Sequence, residues 1–267
     1  MGVKGRGRLE RRELFAQIVE GVVRASDVVL EVTDARFPKQ TRSEELEGRI
    51  QGFGKKVIVV MNKSDLVKEK EALKKLVLEL KAKGREAVFT SCKEFTGLSS
   101  LKSLLFKHAK ESGRDLKVGV IGMPNTGKSS LVNRLGLRKA ARVGPVAGTT
   151  VGKQWIRIAN NILLLDTPGV FGRTQRGALL VSGGLNPEDL RDPETAAAKL
   201  IKYLQENHNT KWIKEEYGIE NASGDPEKVI EEIAVKRKKL VKGGAPDVKI
   251  MSQMIVRDWQ RQGRTRK

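Results

Sequence analysis

The stretch from Lys117 to Gly136, KVGVIGMPNTGKSSLVNRLG, constrains the fold most, because an apolar run, a glycine-bounded loop and an amphipathic helical segment follow one another directly. Gly122 and Gly127 let successive backbone NH groups turn inward, and the start of the helix adds its positive end. Such a loop suits phosphate groups, with Asn125, Thr126, Gly127 and Ser130 around them. Lys128 reaches the outer phosphates, and the Ser129 hydroxyl suits Mg²⁺, a hard cation that prefers oxygen. A strand feeding a helix through such a loop calls for an α/β architecture with a mostly parallel sheet.

Three further segments complete a nucleotide site. DTPG (Asp166 to Gly169) follows the apolar run ILLLD, which places Asp166 beside the magnesium, acting through a bound water, and Gly169 at the terminal phosphate. The polar stretch GPVAGTT (Gly144 to Thr150) reads as a loop that completes the metal shell. Its offset from the following QWIRI run favours Thr150 over Thr149. NKSD (Asn62 to Asp65) ends the run KVIVVMN, where the Asp65 carboxylate accepts the two guanine edge protons and Lys63 lies along the base. After the next run, TSCK sets Ser91, Cys92 and Lys93 where a backbone NH meets guanine O6 and the Lys93 stem covers the ring. The base-reading segments thus precede the phosphate loop in the chain, the reverse of the ordinary order.

Six apolar runs read as strands, beginning at Val28, Lys56, Ala87, Lys117, Gln154 and Ile162. Helical periodicity marks Leu14 to Val23, Glu69 to Lys83 with a stop at Gly84, and Leu98 to Ser112, which carries His108. The expected fold is a doubly wound, six-stranded, mostly parallel sheet over residues 1–175, followed by a small all-helical domain over 176–267. Helices are predicted there over Pro193 to Glu206, Asp225 to Leu240 and Pro246 to Gln262.

The formal charge of +20 points to a polyanion, and the lack of a long apolar span favours nucleic acid over membrane. Eleven Lys or Arg against two Asp fall between Ala234 and Lys267, and Lys4, Arg6, Arg8, Arg11 and Arg12 form a second basic cluster. In the last helix Val248, Met251, Ile255 and Trp259 share one face, with Arg257, Arg261 and Arg264 displaced from it to meet phosphates. Aromatic residues at 4% argue against stacking on single strands and for structured RNA read by shape and charge. One cysteine excludes an intrachain disulfide, and the basic start lacks the apolar core of a secretory signal, so residence in the cytoplasm is expected.

The order NKSD, TSCK, phosphate loop, GTT and DTPG, with DARFP at Asp34 to Pro38, resembles the circularly permuted YlqF/RbgA/YawG GTPases. The resemblance covers nearly the whole chain and is strongest from Val28 to Phe171. It implies GTP hydrolysis to GDP coupled to assembly of the large ribosomal subunit, through contacts with rRNA. No membrane or DNA partner is expected, and the protein is expected to be a monomer. Lys128, Asn125, Thr150 and Gly169 are the candidate catalytic residues. The position where Ras-like enzymes hold a water-orienting Gln is Val170, so slow turnover is expected. The resemblance suggests two aids: a potassium ion held with Asn125, and backbone or partner groups that orient water. A His that some relatives carry near their start has no counterpart, and His108 and His208 read as structural. The alternative is an RNA-binding scaffold gated by GTP occupancy with negligible hydrolysis.

Overall fold

In the computed structural model, residues 17, 19–67, 69–136, 142–145, 154–165, 192–206 and 210–261 are described. The chain divides into two compact units, 1–174 and 175–267.

In the first unit each apolar run becomes a strand: β1 (Val28–Asp34), β2 (Lys56–Asn62), β3 (Glu86–Phe89), β4 (Leu116–Ile121), β6 (Gln154–Ala159) and β7 (Ile162–Leu165). A seventh strand, β5 (Arg142–Pro145), enlarges the expected six and takes in Gly144 and Pro145 of the stretch read as a loop. It lies at the sheet edge, where a proline's missing NH is tolerated. The order is β3-β2-β1-β4-β7-β6-β5. Strands β1 to β4 and β7 pair in parallel, whereas β6 and β5 run antiparallel.

Helices cover both faces, as a parallel sheet requires. Val28, Leu30 and Val32 of β1 pack with residues of α5 (Leu98–Ser112) and α6 (Lys128–Leu135). Val29 points the other way, towards Val19, Val22 and Val23 of α1 (19–25) and Leu46 and Ile50 of α3 (Glu44–Gly52). A short α2 (Pro38–Thr41) links β1 to α3. Met61 and Val59 pack under α4 (Glu71–Ala82), which ends before Gly84 at φ 71°. Leu14, Phe15 and Ile18 lie outside the described residues.

The second unit contains α7 (Pro193–Glu206), α8 (Lys211–Tyr217), α9 (Pro226–Lys236) and α10 (Val248–Arg261). The Asp225 carboxylate caps α9 by accepting from the Glu227 NH at 3.0 Å. Helix α9 ends earlier than its periodicity suggests, because Lys238 turns left-handed (φ 53°) and the chain enters a hairpin. Met251, Ile255 and Trp259 are buried on α10, and Trp212 meets Trp259 edge to face at 5.1 Å. No helix among the described residues is long and apolar enough to cross a membrane.

Candidate nucleotide site

Parallel registration brings the motifs to one edge of the sheet. Asp34 of DARFP pairs in register with Asn62 of NKSD, Met61 with Phe89 just before TSCK, and Glu31 with Ile121 just before the phosphate loop. The carboxyl edge of an open parallel sheet is where α/β folds bind ligands.

The phosphate loop is shaped by two close backbone approaches. A Cβ on Gly122 (φ 143°) would stand 2.2 Å from the Val32 carbonyl oxygen, and one on Gly127 (φ 96°) would stand 2.2 Å from Asn62 Nδ2. Inside the loop the Met123 carbonyl accepts from Lys128 Nζ at 2.6 Å and from Thr126 Oγ1 at 3.0 Å. Lys128 is buried, whereas Asn125 (φ 61°), Ser129 and Ser130 are exposed. Gly127 caps α6, so the first helical NH groups open towards the loop.

At the end of β2, Lys63 adopts φ 65° and turns the chain into a short 3₁₀ segment, Ser64–Leu66, that presents Asp65. The Ser91 hydroxyl donates to Asp65 Oδ1 at 2.6 Å and accepts from the Glu94 NH at 3.0 Å. The Ser91 NH is donated to the Thr96 carbonyl at 3.0 Å, so this residue acts through its hydroxyl on Asp65. Cys92 is buried, and that burial raises its thiol to about 11, so it is a neutral packing group at physiological pH. Lys93 is exposed.

Asn62 joins the two halves. Its side chain is buried, with Nδ2 donating to the Thr126 carbonyl at 2.9 Å and Oδ1 accepting from Thr90 Oγ1 at 3.3 Å. Below it lies the reason for DARFP. Burial would raise the Asp34 carboxyl, but Arg36 and then Lys63 hold it down at about 2. Arg36 grips both oxygens, from Nε at 2.9 Å and Nη2 at 2.7 Å, and Lys63 Nζ reaches Oδ2 at 2.9 Å. Thr150, Asp166, Gly169, Val170 and His208 lie outside the described residues. Among the described residues no group of three or more His, Cys, Asp or Glu is arranged to hold a metal.

His108 lies in the other half of the sheet's anatomy. Its Nε2 meets Glu86 at 2.5 Å, and its Nδ1 meets Lys56 at 3.1 Å and Glu111 at 3.2 Å. Lys56 and Glu86 begin β2 and β3, so this cluster is at the opposite edge from the motif loops.

Two arrangements escape the motif reading. Arg134, near the end of α6, donates from Nε to the Cys92 carbonyl at 3.0 Å and stacks its guanidinium 4.0 Å from the ring of Phe95. Phe95 is 61% exposed at φ 60°, so α6 grips the turn that follows β3 from outside. The second is a buried carboxyl pair, Glu31 and Glu47. Burial raises Glu31 well above the usual range, and the adjacent Glu47 pushes it further. The Ser43 NH donates to Glu31 at 2.7 Å, while Arg42 and Arg85 flank Glu47. The signal for it was a lone Glu inside the apolar run VVLEV.

Two family profiles match the chain: 50S ribosome-binding GTPase over residues 117–230 and RsgA GTPase over residues 40–173. A GTP-binding protein of Methanocaldococcus jannaschii is 38% identical over 91% of this chain and 64% of its own length. The nuclear GTP-binding protein NUG1 of Saccharomyces cerevisiae is 31% identical over 97% of this chain and 56% of its own, and nucleolar GTP-binding protein 2 of the same yeast is 32% identical over 97% and 52%. The chain therefore spans less than two thirds of the length of these relatives. Among solved structures, GDP-bound TM YlqF superposes with a TM-score of 0.61 at 25% identity, over 91% of this chain and 93% of that one. With its base-reading strands ahead of its phosphate loop and these relatives beside it, the chain belongs to the circularly permuted GTPases of the YlqF family.

Proposed function

We propose that this protein binds GTP, hydrolyses it to GDP and phosphate, and serves as an assembly factor for the large ribosomal subunit through contacts with rRNA. The observation that supports the reading is the Asn62 to Thr126 bond, which ties the end of β2, just ahead of Asp65, to the glycine-bounded loop at the same sheet edge. Asp65, oriented by Ser91, accepts the N1 and N2 protons of guanine. Lys63 and Lys93 flank the base, and an NH from the Cys92–Lys93 turn meets O6.

The amides from Asn125 to Ser130 and the Lys128 ammonium hold the phosphates and stabilise the charge that develops during transfer. Gly127 supports the fit, since a side chain there would collide with the Asn62 carboxamide that holds the loop. Ser129, with Thr150 and with Asp166 through water, would hold Mg²⁺, an all-oxygen set suited to that ion. The ion supplies charge neutralisation at the phosphates. Asn125, exposed at the rim of the loop, would help hold K⁺. With Val170 unable to orient water, hydrolysis is slow alone and rises with K⁺ and with ribosomal particles. Val170 also supports a second reading, a GTP-gated RNA-binding scaffold. In either reading the segment after DTPG passes nucleotide state to the helical unit.

Turnover measured in K⁺ and in Na⁺, with and without purified ribosomal subunits, separates the two. Stimulation by the large subunit supports the enzyme, and GTP-dependent RNA binding without turnover supports the scaffold. Asp65→Asn should lose preference for guanine over xanthine nucleotides, and an unchanged preference would remove Asp65 from the base site.

A further inference from the structure

From the end of α9 to the start of α10 the sequence VKRKKLVKGGAPD, Val235 to Asp247, runs through residues 235–245 that are all exposed, yet its backbone is held. Lys239 donates its NH to the Ala234 carbonyl at 2.8 Å and accepts from the Asp247 NH at 2.8 Å, and the Val241 NH donates to the Ala245 carbonyl at 2.9 Å. Gly243 (φ 110°) and Gly244 (φ 85°) make the turn in a region that side chains disfavour. The base is fastened to the end of α8. Lys236 Nζ donates to the Gly218 carbonyl at 2.5 Å, and Arg237 bonds the Glu216 carbonyl and lies 5.0 Å from the centre of the Tyr217 ring.

Two cations therefore serve as anchors. Lys238, Lys239, Lys242 and Lys249 have no carboxylate partner among the described residues. Beside them Leu240 and Val241 remain 47% and 45% exposed. A fixed hairpin of unpaired cations around exposed aliphatic side chains is complementary to a polyanion with a shallow, partly apolar face. The wide minor groove of an RNA duplex has that character, with ribose faces between two phosphate rows. A hairpin without aromatic side chains does not suit single strands, which are held by stacking.

We propose that this hairpin docks on double-helical RNA, with Lys238, Lys239 and Lys242 on phosphates and Leu240 and Val241 against the sugars of the minor groove. The proposal rests on the RNA-partner reading above, and moves the contact from the exposed side of α10 to the hairpin. The test is binding of the full chain to a mixed-sequence RNA duplex across a salt series. Each phosphate neutralised contributes roughly 0.7–0.9 to the slope of log affinity against log salt. Replacing Lys238, Lys239 and Lys242 together by Gln should lower the slope by about 2 to 2.7, so that between about 50 and 200 mM salt the wild type loses about 20- to 40-fold more affinity than the variant.

Leu240→Ser with Val241→Ser should weaken binding several-fold with the slope unchanged, since no charge is removed. Both variants alter exposed positions, and unchanged thermal melting verifies that they fold. Wild-type slope and affinity in the lysine variant would overturn the hairpin's role while leaving an RNA partner in place. Absence of duplex binding by the wild type would instead overturn the RNA reading itself. Displacement of the duplex by polyglutamate at equal charge would assign the hairpin to acidic protein.

Discussion

The Asn62 carboxamide donates to the Thr126 carbonyl at 2.9 Å, across 64 residues of chain. It ties the end of β2 to the middle of the phosphate loop. Asn62→Ala leaves a buried carbonyl unpaired, a loss of about 1–3 kcal/mol. Affinity for GTP and for GDP should fall together, by roughly 5- to 150-fold on the same scale. Asn62→Asp should be worse, because a carboxylate faces the carbonyl without a donor. Titration calorimetry with both nucleotides checks this, and a loss confined to GTP would contradict a strut that acts on loop shape.

Gly127→Ala tests the same junction from the other side. Its Cβ would meet Asn62 Nδ2 at 2.2 Å, and φ 96° is strained for any side chain. Nucleotide binding should be abolished while the second unit, with a core of its own, stays folded. Limited proteolysis with and without GTP reports both outcomes.

Arg134 offers a test of base reading that leaves the phosphates alone. Removing its bond to the Cys92 carbonyl and its stack on Phe95 frees the turn proposed to face guanine O6. Arg134→Ala should weaken GTP, GDP and GMP by a similar factor, roughly three- to tenfold, since an exposed stack and one hydrogen bond are involved. Tripolyphosphate binding should not change. Phe95→Tyr should retain affinity and Phe95→Ala should behave like Arg134→Ala. Equal loss of tripolyphosphate would point to damage of α6 instead.

Acid should unfold the first unit in a defined window. Asp34 is held at about 2 in the fold, below its ordinary value, so its contribution is present above the unfolded carboxyl range and is lost as pH falls from about 5 towards 2. The size is on the order of 2 kcal/mol, and Asp34→Asn should remove that acid dependence. Glu31 behaves oppositely. Its carboxyl is raised, so ionisation costs stability increasingly as pH rises above the ordinary glutamate range. Glu31→Gln should therefore raise the melting temperature at neutral pH and have little effect near pH 4. Melting curves across pH for both variants decide the two signs.

The elements nearest the motifs were legible because their signals are local. Gly122, Gly127 and the apolar runs around them announce strand, loop and helix within one stretch of chain. Apolar spacing continues through Leu240 and predicts a longer α9, whereas Lys238 adopts a left-handed backbone just after the helix ends. Edge strand β5 carries Gly and Pro, residues that signal a turn. The Asn62 strut and the Arg134 clasp could not be read, since each joins segments whose proximity exists only once the strands are in register. Glu31 and Glu47 pair for the same reason, on facing elements β1 and α3.

The sheet order also sets a sequence of events during synthesis. Strand β1 sits inside the sheet, with β2 and β3 on one side and β4, β7, β6 and β5 on the other. The first side, with its helices α3 and α4, is synthesised before any residue of the phosphate loop. N-terminal portions of a chain generally fold first during translation. The β1 edge of that half therefore stays open until Leu116–Ile121 is made and pairs with it. In a chain of ordinary order that edge would belong to the phosphate half, and the guanine pocket would be the part left waiting.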